Sequence, residues 1–464
     1  MTVTAGAATG QKQHRSAAEI GRTEQGPRPL PPLGGPRTGA ELQIADRTLP
    51  SGLRVVAVAR RTVPTVELRL RIPFAGTEQT HPARAELVAS TLLTGTAKRD
   101  RVQIDDELAT IGGEIAAGVD PERLLVSGSA LSPGLPTLLD VLADLLTSAA
   151  YPEADFARER ERLAERIAVA RSQPRTVARE ALQRRLYGDH PVAREMPLAE
   201  DVAVVTPEQA RDLHRAAVLP KGSTLVLVGD VEPERAIDQV GEALAGWSTD
   251  GTATELPPLP LLAGRDFLLV DRPGSVQSQL RFAAAALPRT DPRYPAFQLA
   301  NLVFGGYFSS RLMENIREDK GYTYGASSHL EFTPSGATLA VETDVTTEVT
   351  AAAVLETRYE LARLSAVPPT EAEIESARRY AIGALLISLD SQPGLAATLS
   401  GLAGVGLDAE WLRGHPARLE AVTADQVAAA AAEFFTPTAF TGVVVGDASV
   451  IGPRMRALGG IELP

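Results

Sequence analysis

Three stretches of this 464-residue chain hold side-chain types able to do chemistry together. In FGGYFSSRLMENIREDKGYTYG, residues 304–325, Arg317 falls in the last turn of a predicted helix. Gly321 suits the left-handed residue that ends such a helix, and Tyr324 lies in the strand that follows. A guanidinium and a phenol brought to one turn form a donor pair suited to a carbonyl oxygen or an oxyanion. An arginine capping a helix and an unrelated strand tyrosine account for the same residues without any function. The second stretch, RERERLAERIAVAR, carries Glu165 among so many charges that it reads as a solvated helix face with i,i+4 pairs. The third, ELVASTLLTGT from Glu86 to Thr96, reads as an amphipathic helix ended by Gly95.

Missing residue types narrow the chemistry further. With no cysteine, disulfides, thiolate zinc sites, iron–sulfur clusters and cysteine nucleophiles are excluded together. The six histidines stand at 14, 81, 190, 214, 329 and 415, and the closest pair is 24 positions apart. No helix can therefore present two histidines one turn apart, which argues against a self-contained histidine metal site. The formal charge is −12 and no basic stripe is present, so nucleic acid is not an expected partner. No apolar run approaches the roughly 18 residues that a membrane helix needs, and the N-terminus has no apolar signal region. The expectation is a cytoplasmic protein that does not engage membranes.

The elements that must position these residues can be read in chain order. Residues 1–42, rich in Gly, Pro, Gln and Arg, read as a disordered tail, with structure starting near Thr48. LPSGLRVVAVARR suggests a strand pair led by a Ser-Gly turn, and the alternation of Val66, Leu68, Leu70 and Ile72 marks a strand with one buried face. Helices are expected over ARAELVASTLLTGTA, about 103–111, PTLLDVLADLLTSA and ADFARERERLAERIAVARSQ. Two strands flank the Asp120-Pro121 turn, and STLVLVGDV forms another. The Pro-rich, aperiodic residues 248–264 read as a linker between domains at 43–247 and 265–464. The second domain restarts with FLLVDRPGSVQSQLRFAAAA and closes on TGVVVGD. From the first β-run to the closing glycine the two halves span 176 and 179 residues (Leu53 to Gly229, Phe267 to Gly446), which suggests duplication of one unit.

At this point the chain resembles the insulinase/pitrilysin-type peptidases, a family of inverzincins that includes mitochondrial processing peptidase and many bacterial two-subunit peptidases. The resemblance runs over roughly residues 46–450. It is carried by LPSGLRVVAVARRTVPTVELRLRIPFAG, the ELVASTLLTGT helix, YGDHP at 187–191, the two VGD strand ends and the 304–325 stretch. It implies an α+β fold of two homologous domains, each a mostly antiparallel sheet with helices packed on one face, together half of a clamshell. Active members carry H-x-x-E-H on the helix that corresponds to ELVASTLLTGT. Here Glu86 stands at the first His, Ala89 at the catalytic Glu and Ser90 at the second His. Glu165, 75 residues beyond Ser90, falls where the third ligand would be, and Glu86 with Glu165 would make only a weak carboxylate pair. Ala116-Ala117 replaces the Asn-Ala pair of active members, so an Asn able to bond substrate backbone is absent. Arg317 and Tyr324 match the family pair that binds the substrate carbonyl and stabilises the tetrahedral intermediate. The Gly305-Gly306 and Ser309–Leu312 run before them reads as packing and positioning. The resemblance thus implies a subunit inactive alone, with no cofactor on this chain. Zinc would sit on a homologous H-x-x-E-H partner, and peptide would be the substrate. A catalytically silent scaffold is the alternative.

Overall fold

The computed structural model describes residues 42–248 and 251–463, together with Glu19; apart from Glu19 and Leu42, the expected tail at 1–42 lies outside the described residues. The first half forms a six-stranded sheet, in the order β1 (Ile44–Thr48), β2 (Arg54–Ala59), β6 (Thr224–Gly229), β3 (Thr65–Pro73), β5 (Arg123–Leu131) and β4 (Glu114–Val119). Only the β2–β6 pair is parallel. Alternation decides which face is buried. Val66, Leu68, Leu70 and Ile72 point into a core shared with α1 (His81–Thr91) and α3 (Leu135–Ser148), while Thr65, Arg69 and Arg71 face the other way. Leu135, Leu138, Leu139, Leu142 and Leu145 give α3 an apolar stripe at helical spacing. Helix α2 (Arg101–Thr110) opens on a reciprocal cap between Asp100 and Gln103. The charged α4 (Glu153–Ser172) buries only Phe156, Leu163 and Ile167.

The second half has the corresponding sheet order β12 (Ile461–Glu462), β7 (Phe267–Asp271), β11 (Thr441–Gly446), β8 (Gln277–Ala285), β10 (Gly336–Thr346) and β9 (Thr323–Thr333), but both neighbours of β7 run parallel to it. The repetition reaches single hydrogen bonds. Arg69 on β3 donates to the carbonyls of Leu68 and Gly128, and Arg281 on β8 donates to those of Leu280 and Thr343. Residues 251–264, within the expected linker, form neither helix nor strand.

Several local expectations need correction. The first strand begins at Ile44, ahead of the turn, because β1 is an edge strand that buries only Ala45 and so lacks alternation. Helix α5 (Pro174–Tyr187) is invisible in the sequence, since its apolar positions are sparse among arginines. The chain also continues past the second VGD into a C-terminal helix, Ala448–Leu458, and strand β12.

Helix α5 does not cover its own sheet. Ala178, Leu182 and Leu186 pack on Ala283, Val443 and Val445, the side of the second sheet opposite Leu280, Phe282 and Val444. Tyr187 bonds Thr338 at 2.8 Å, and Arg185 grips Glu462 through two bonds of 2.6 and 3.0 Å. The second half answers with a helix of its own, Gln392–Ala403, laid on the free face of the first sheet. There Arg71 donates to Ser400 at 2.7 Å, and the buried Gln392 amide donates to the carbonyls of Arg60 and Val63. Each half therefore completes the other's sheet.

Replacing Gln392 by Ala leaves two backbone carbonyls unsatisfied and is expected to cost about 2–4 kcal/mol. One tryptophan sits in each half, Trp247 and Trp411. In urea unfolding of single-tryptophan forms, both midpoints should coincide and fall together. A shift confined to one half would contradict the interlock.

Candidate functional site

The Arg317 segment is held from beneath and left open above. Helix 294–301 runs on into a π-type turn, Leu302–Gly306, where Gly305 meets β9 so closely that a Cβ would lie 2.9 Å from Ser328 Oγ. Ser328 in turn donates to Asn301 Oδ1 at 2.7 Å. The chain re-enters a helix at Arg311–Met313 and widens into a second π-type turn, Glu314–Asp319. Arg311, 5% exposed, donates two bonds of 2.6 and 2.9 Å to Glu373 at the start of helix 371–390. Asn315 donates to Glu360 at 2.8 Å and Glu356 at 3.1 Å on helix 350–366. At the end of the segment Tyr322 N–H reaches the Ile316 carbonyl and Gly321 N–H that of Arg317. Each bond is one residue wider than in an ordinary Schellman closure, with Gly321 at φ +64°.

Among the described residues Arg317 emerges from this clamp with no strong ion pair, its one carboxylate neighbour being Glu318 at 3.5 Å. Its guanidinium carbon lies 4.6 Å from the Phe308 ring centre and 5.6 Å from that of Tyr324. A cation–π contact of this kind does not use up the N–H donors of the guanidinium. Phe308 is 63% exposed and Tyr324 93%, so both rings stand outside the core. Arg317 and Tyr324 thus come together as the turn chemistry predicts, with Phe308 as a third member that the sequence did not mark. The group can donate to a carbonyl oxygen or an oxyanion.

The ELVASTLLTGT helix offers no metal site. It ends as α1 at Thr91 and passes through a short 3-10 turn before Gly95. Ala89 is buried in the core, and Ser90 Oγ donates to the Leu87 carbonyl within its own helix. Glu86 borders a crevice of only about 20 Å³ with His81 and Glu195. Burial raises its carboxyl pKa, partly countered by Arg166 on α4. Arg166, rather than its neighbour Glu165, is the α4 charge that Glu86 feels, and Glu165 is exposed. Among the described residues no three His, Asp or Glu side chains gather as metal ligands. The side chains at Glu86, Ala89, Ser90 and Glu165 therefore do not make a donor set that fits zinc. Ala116 and Ala117 lie on β4, the edge strand of the first sheet.

The described histidines have other work. His81 bonds the Phe74 carbonyl, His214 bridges Tyr151 and the Leu146 carbonyl, and His190 bonds the Pro257 carbonyl. His415 bonds Gln298 and stacks against Trp411. Burial lowers the pKa of His81 and His214 and takes that of His415 down to about 4, which keeps their rings neutral. His329 pairs with Glu331, which raises its pKa.

Sequence reasoning missed a cavity of about 630 Å³ beside Tyr324, lined by Arg175, Arg281, Thr323, Glu342 and Asp344 among others. Its residues come from α5, β8, β9 and β10, and no local pattern links them.

Residues 56–198 match the family model described as insulinase (peptidase family M16), and residues 205–380 match that of the peptidase M16 inactive domain. An uncharacterised zinc protease of Streptomyces coelicolor is 27% identical over 297 residues, 62% of this chain and 64% of the relative; the chain thus spans just under two thirds of that relative's length. Another, of Mycobacterium tuberculosis strain H37Rv, is 24% identical over 364 residues, 76% of this chain and 81% of the relative. Among solved structures, a peptidase M16 inactive domain from Pseudomonas fluorescens superposes with a TM-score of 0.81 at 22% identity, covering 88% of this chain and 98% of its own. A protease from Helicobacter pylori gives 0.81 at 17%, covering 87% and 100%. At those identities the likeness is one of fold.

The Arg311–Glu373 pair makes the clamp testable. Arg311 holds the Glu373 carboxyl down to about 2, from an ordinary 4.5. A depressed carboxyl contributes stability above its unfolded value and loses it as pH falls through the folded one. Arg311→Gln should therefore cost about 1–3 kcal/mol at neutral pH. In denaturant titrations its difference from the wild type should shrink between pH 4.5 and about 2. A difference constant across that window would contradict the pairing.

Proposed function

The chain belongs to the insulinase (M16) peptidase family and lacks its zinc motif, and from that premise we propose that it is the non-catalytic subunit of a heterodimeric zinc-dependent peptidase. The observation that carries the reading is the pairing of an empty metal helix with an assembled Arg317–Tyr324 group. Zinc and the general base belong, on this reading, to a homologous H-x-x-E-H partner, and peptide is the substrate. This chain's part is electrostatic. A peptide carbonyl approaching the Arg317 guanidinium meets N–H donors flanked by the Phe308 and Tyr324 rings. The Tyr324 hydroxyl adds a second donor. Charge developing on the carbonyl oxygen is then met by donors already in place, so little reorganisation accompanies the reaction. Such donors need only reach the scissile carbonyl and need not share a chain with the metal. The Arg311 and Asn315 anchors supply the rigidity this role requires.

The isolated chain is expected to bind no stoichiometric zinc by elemental analysis and to hydrolyse no peptide in a metal-dependent way. Mixed with the zinc-bearing homologue from its own cells, it should restore cleavage. Arg317→Ala or Tyr324→Phe should then lower kcat by roughly 10²-fold, the scale of losing one preorganised oxyanion donor. Restored cleavage that both substitutions leave untouched would assign the chain to scaffolding.

A further inference from the structure

The cavity beside Tyr324 has a charge arrangement that the proposed carbonyl-binding role does not use. It opens on the face of the second sheet that α5 partly covers, and Tyr324 itself forms part of its wall. Two arginines and two carboxylates line it, and the two arginines are not equivalent.

Arg281 is 3% exposed and built into the sheet. It donates to the carbonyls of Leu280 and Thr343 at 2.8 and 3.2 Å and to Gln279 Oε1 at 3.1 Å. Its charge lies 2.8 Å from Asp344 and 3.7 Å from Glu342, so one fixed cation stands against two carboxylates. Its alignment with Asp344 is poor, since Asp344 Oδ1 finds no hydrogen-bond donor in spite of the short distance. Glu342 receives no hydrogen bond from any described residue. Its other basic neighbours are taken: Arg179 is engaged by Glu195 through bonds of 2.7 and 2.8 Å, and His329 by Glu331 at 3.3 Å.

The remaining cation is Arg175, at the start of α5. Its side chain is 76% exposed and ends 3.2 Å from Asp344 Oδ2. An exposed ion pair of this kind is weak, so another cation can displace it at little cost. An anionic ligand finds the opposite situation. The Arg281 N–H groups are already engaged, and both carboxylates repel it.

We propose that this cavity is a subsite for a basic side chain of the bound peptide, with Glu342 and Asp344 as its acceptors and Arg175 as a built-in competitor. The proposal rests on the peptide-binding reading above and adds a substrate class to it. A lysine or arginine in the cavity replaces Arg175 on Asp344 and gives Glu342 the donor it lacks. The adjoining peptide backbone then lies beside Tyr324.

The test uses the full chain and three fluorescent peptides that differ at one central position, Arg, Gln or Glu, with binding followed by anisotropy. The Arg peptide is expected to bind at least about tenfold tighter than the other two, with the preference shrinking as salt is added. Glu342→Gln should reduce that preference to about twofold. Arg175→Ala should strengthen binding of the Arg peptide severalfold, more than that of the Gln peptide, because it removes the competitor. Both positions are solvent-accessible, so folding is not at issue. Equal binding of all three peptides, or weaker binding of the Arg peptide to Arg175→Ala, overturns the subsite and leaves the peptide-binding reading in place. Failure of every peptide to bind overturns that reading and the subsite with it.

Discussion

The structure depends on an exchange. Each sheet buries one face under helices of its own half and receives on the other a helix from the opposite half. A sheet with two apolar or half-apolar faces cannot leave one of them in water without losing the burial that stabilises it. Ala283, Val443 and Val445 need α5, and Thr65, Arg60 and Arg71 need the helix that begins at Gln392. The polar anchors at the two crossings fix the register of what is otherwise a nonspecific apolar contact. Duplicated halves joined only by residues 248–264 could move independently; halves that complete each other's sheets cannot.

That rigidity is what the Arg317 group requires. Donors aimed at a developing charge help only if they are in place before it appears. Arg311 and Asn315 tie one face of their segment to helices 371–390 and 350–366, and Gly305 lets the preceding turn press against β9. The opposite face, with Phe308 and Tyr324, is free of core packing. A π-type winding on both sides of Ser309–Leu312 fits this division, since it re-aims side chains without breaking the helical run. On the metal side the chemistry has been removed at every level: Ala89 joins the core, Ser90 satisfies itself, and the described histidines are spent on backbone and side-chain partners. The five described histidines are all held by partners within the fold.

The same exchange creates the cavity beside Tyr324. Helix α5 brings Arg175 over a sheet that belongs to the other half, and β8 and β10 present Arg281, Glu342 and Asp344 from below. Equivalent positions in the first half, where Arg69 repeats the backbone bonds of Arg281, show that the buried arginine is part of the duplicated scaffold. What differs is where the carboxylates stand: Arg69 donates to Glu67 on its own strand at 2.9 Å, whereas Arg281 is flanked by Glu342 and Asp344 from the neighbouring β10.

By itself the sequence determined whatever is written in short-range pattern. The alternation of β3, the leucine stripe of α3, the repeated VGD strand ends and the turn from Arg317 through Gly321 to Tyr324 each state a local preference that the fold keeps. So does the loss of the zinc motif, since Ala89 has no atom able to bind a metal or a proton. The tertiary structure alone decided which face meets which partner. Periodicity reports that an element has an apolar face and says nothing of the element that covers it. The crossing of α5 between halves and the gathering of Arg175, Arg281, Glu342 and Asp344 around one cavity join residues far apart in the chain. They follow from packing, which no local window contains.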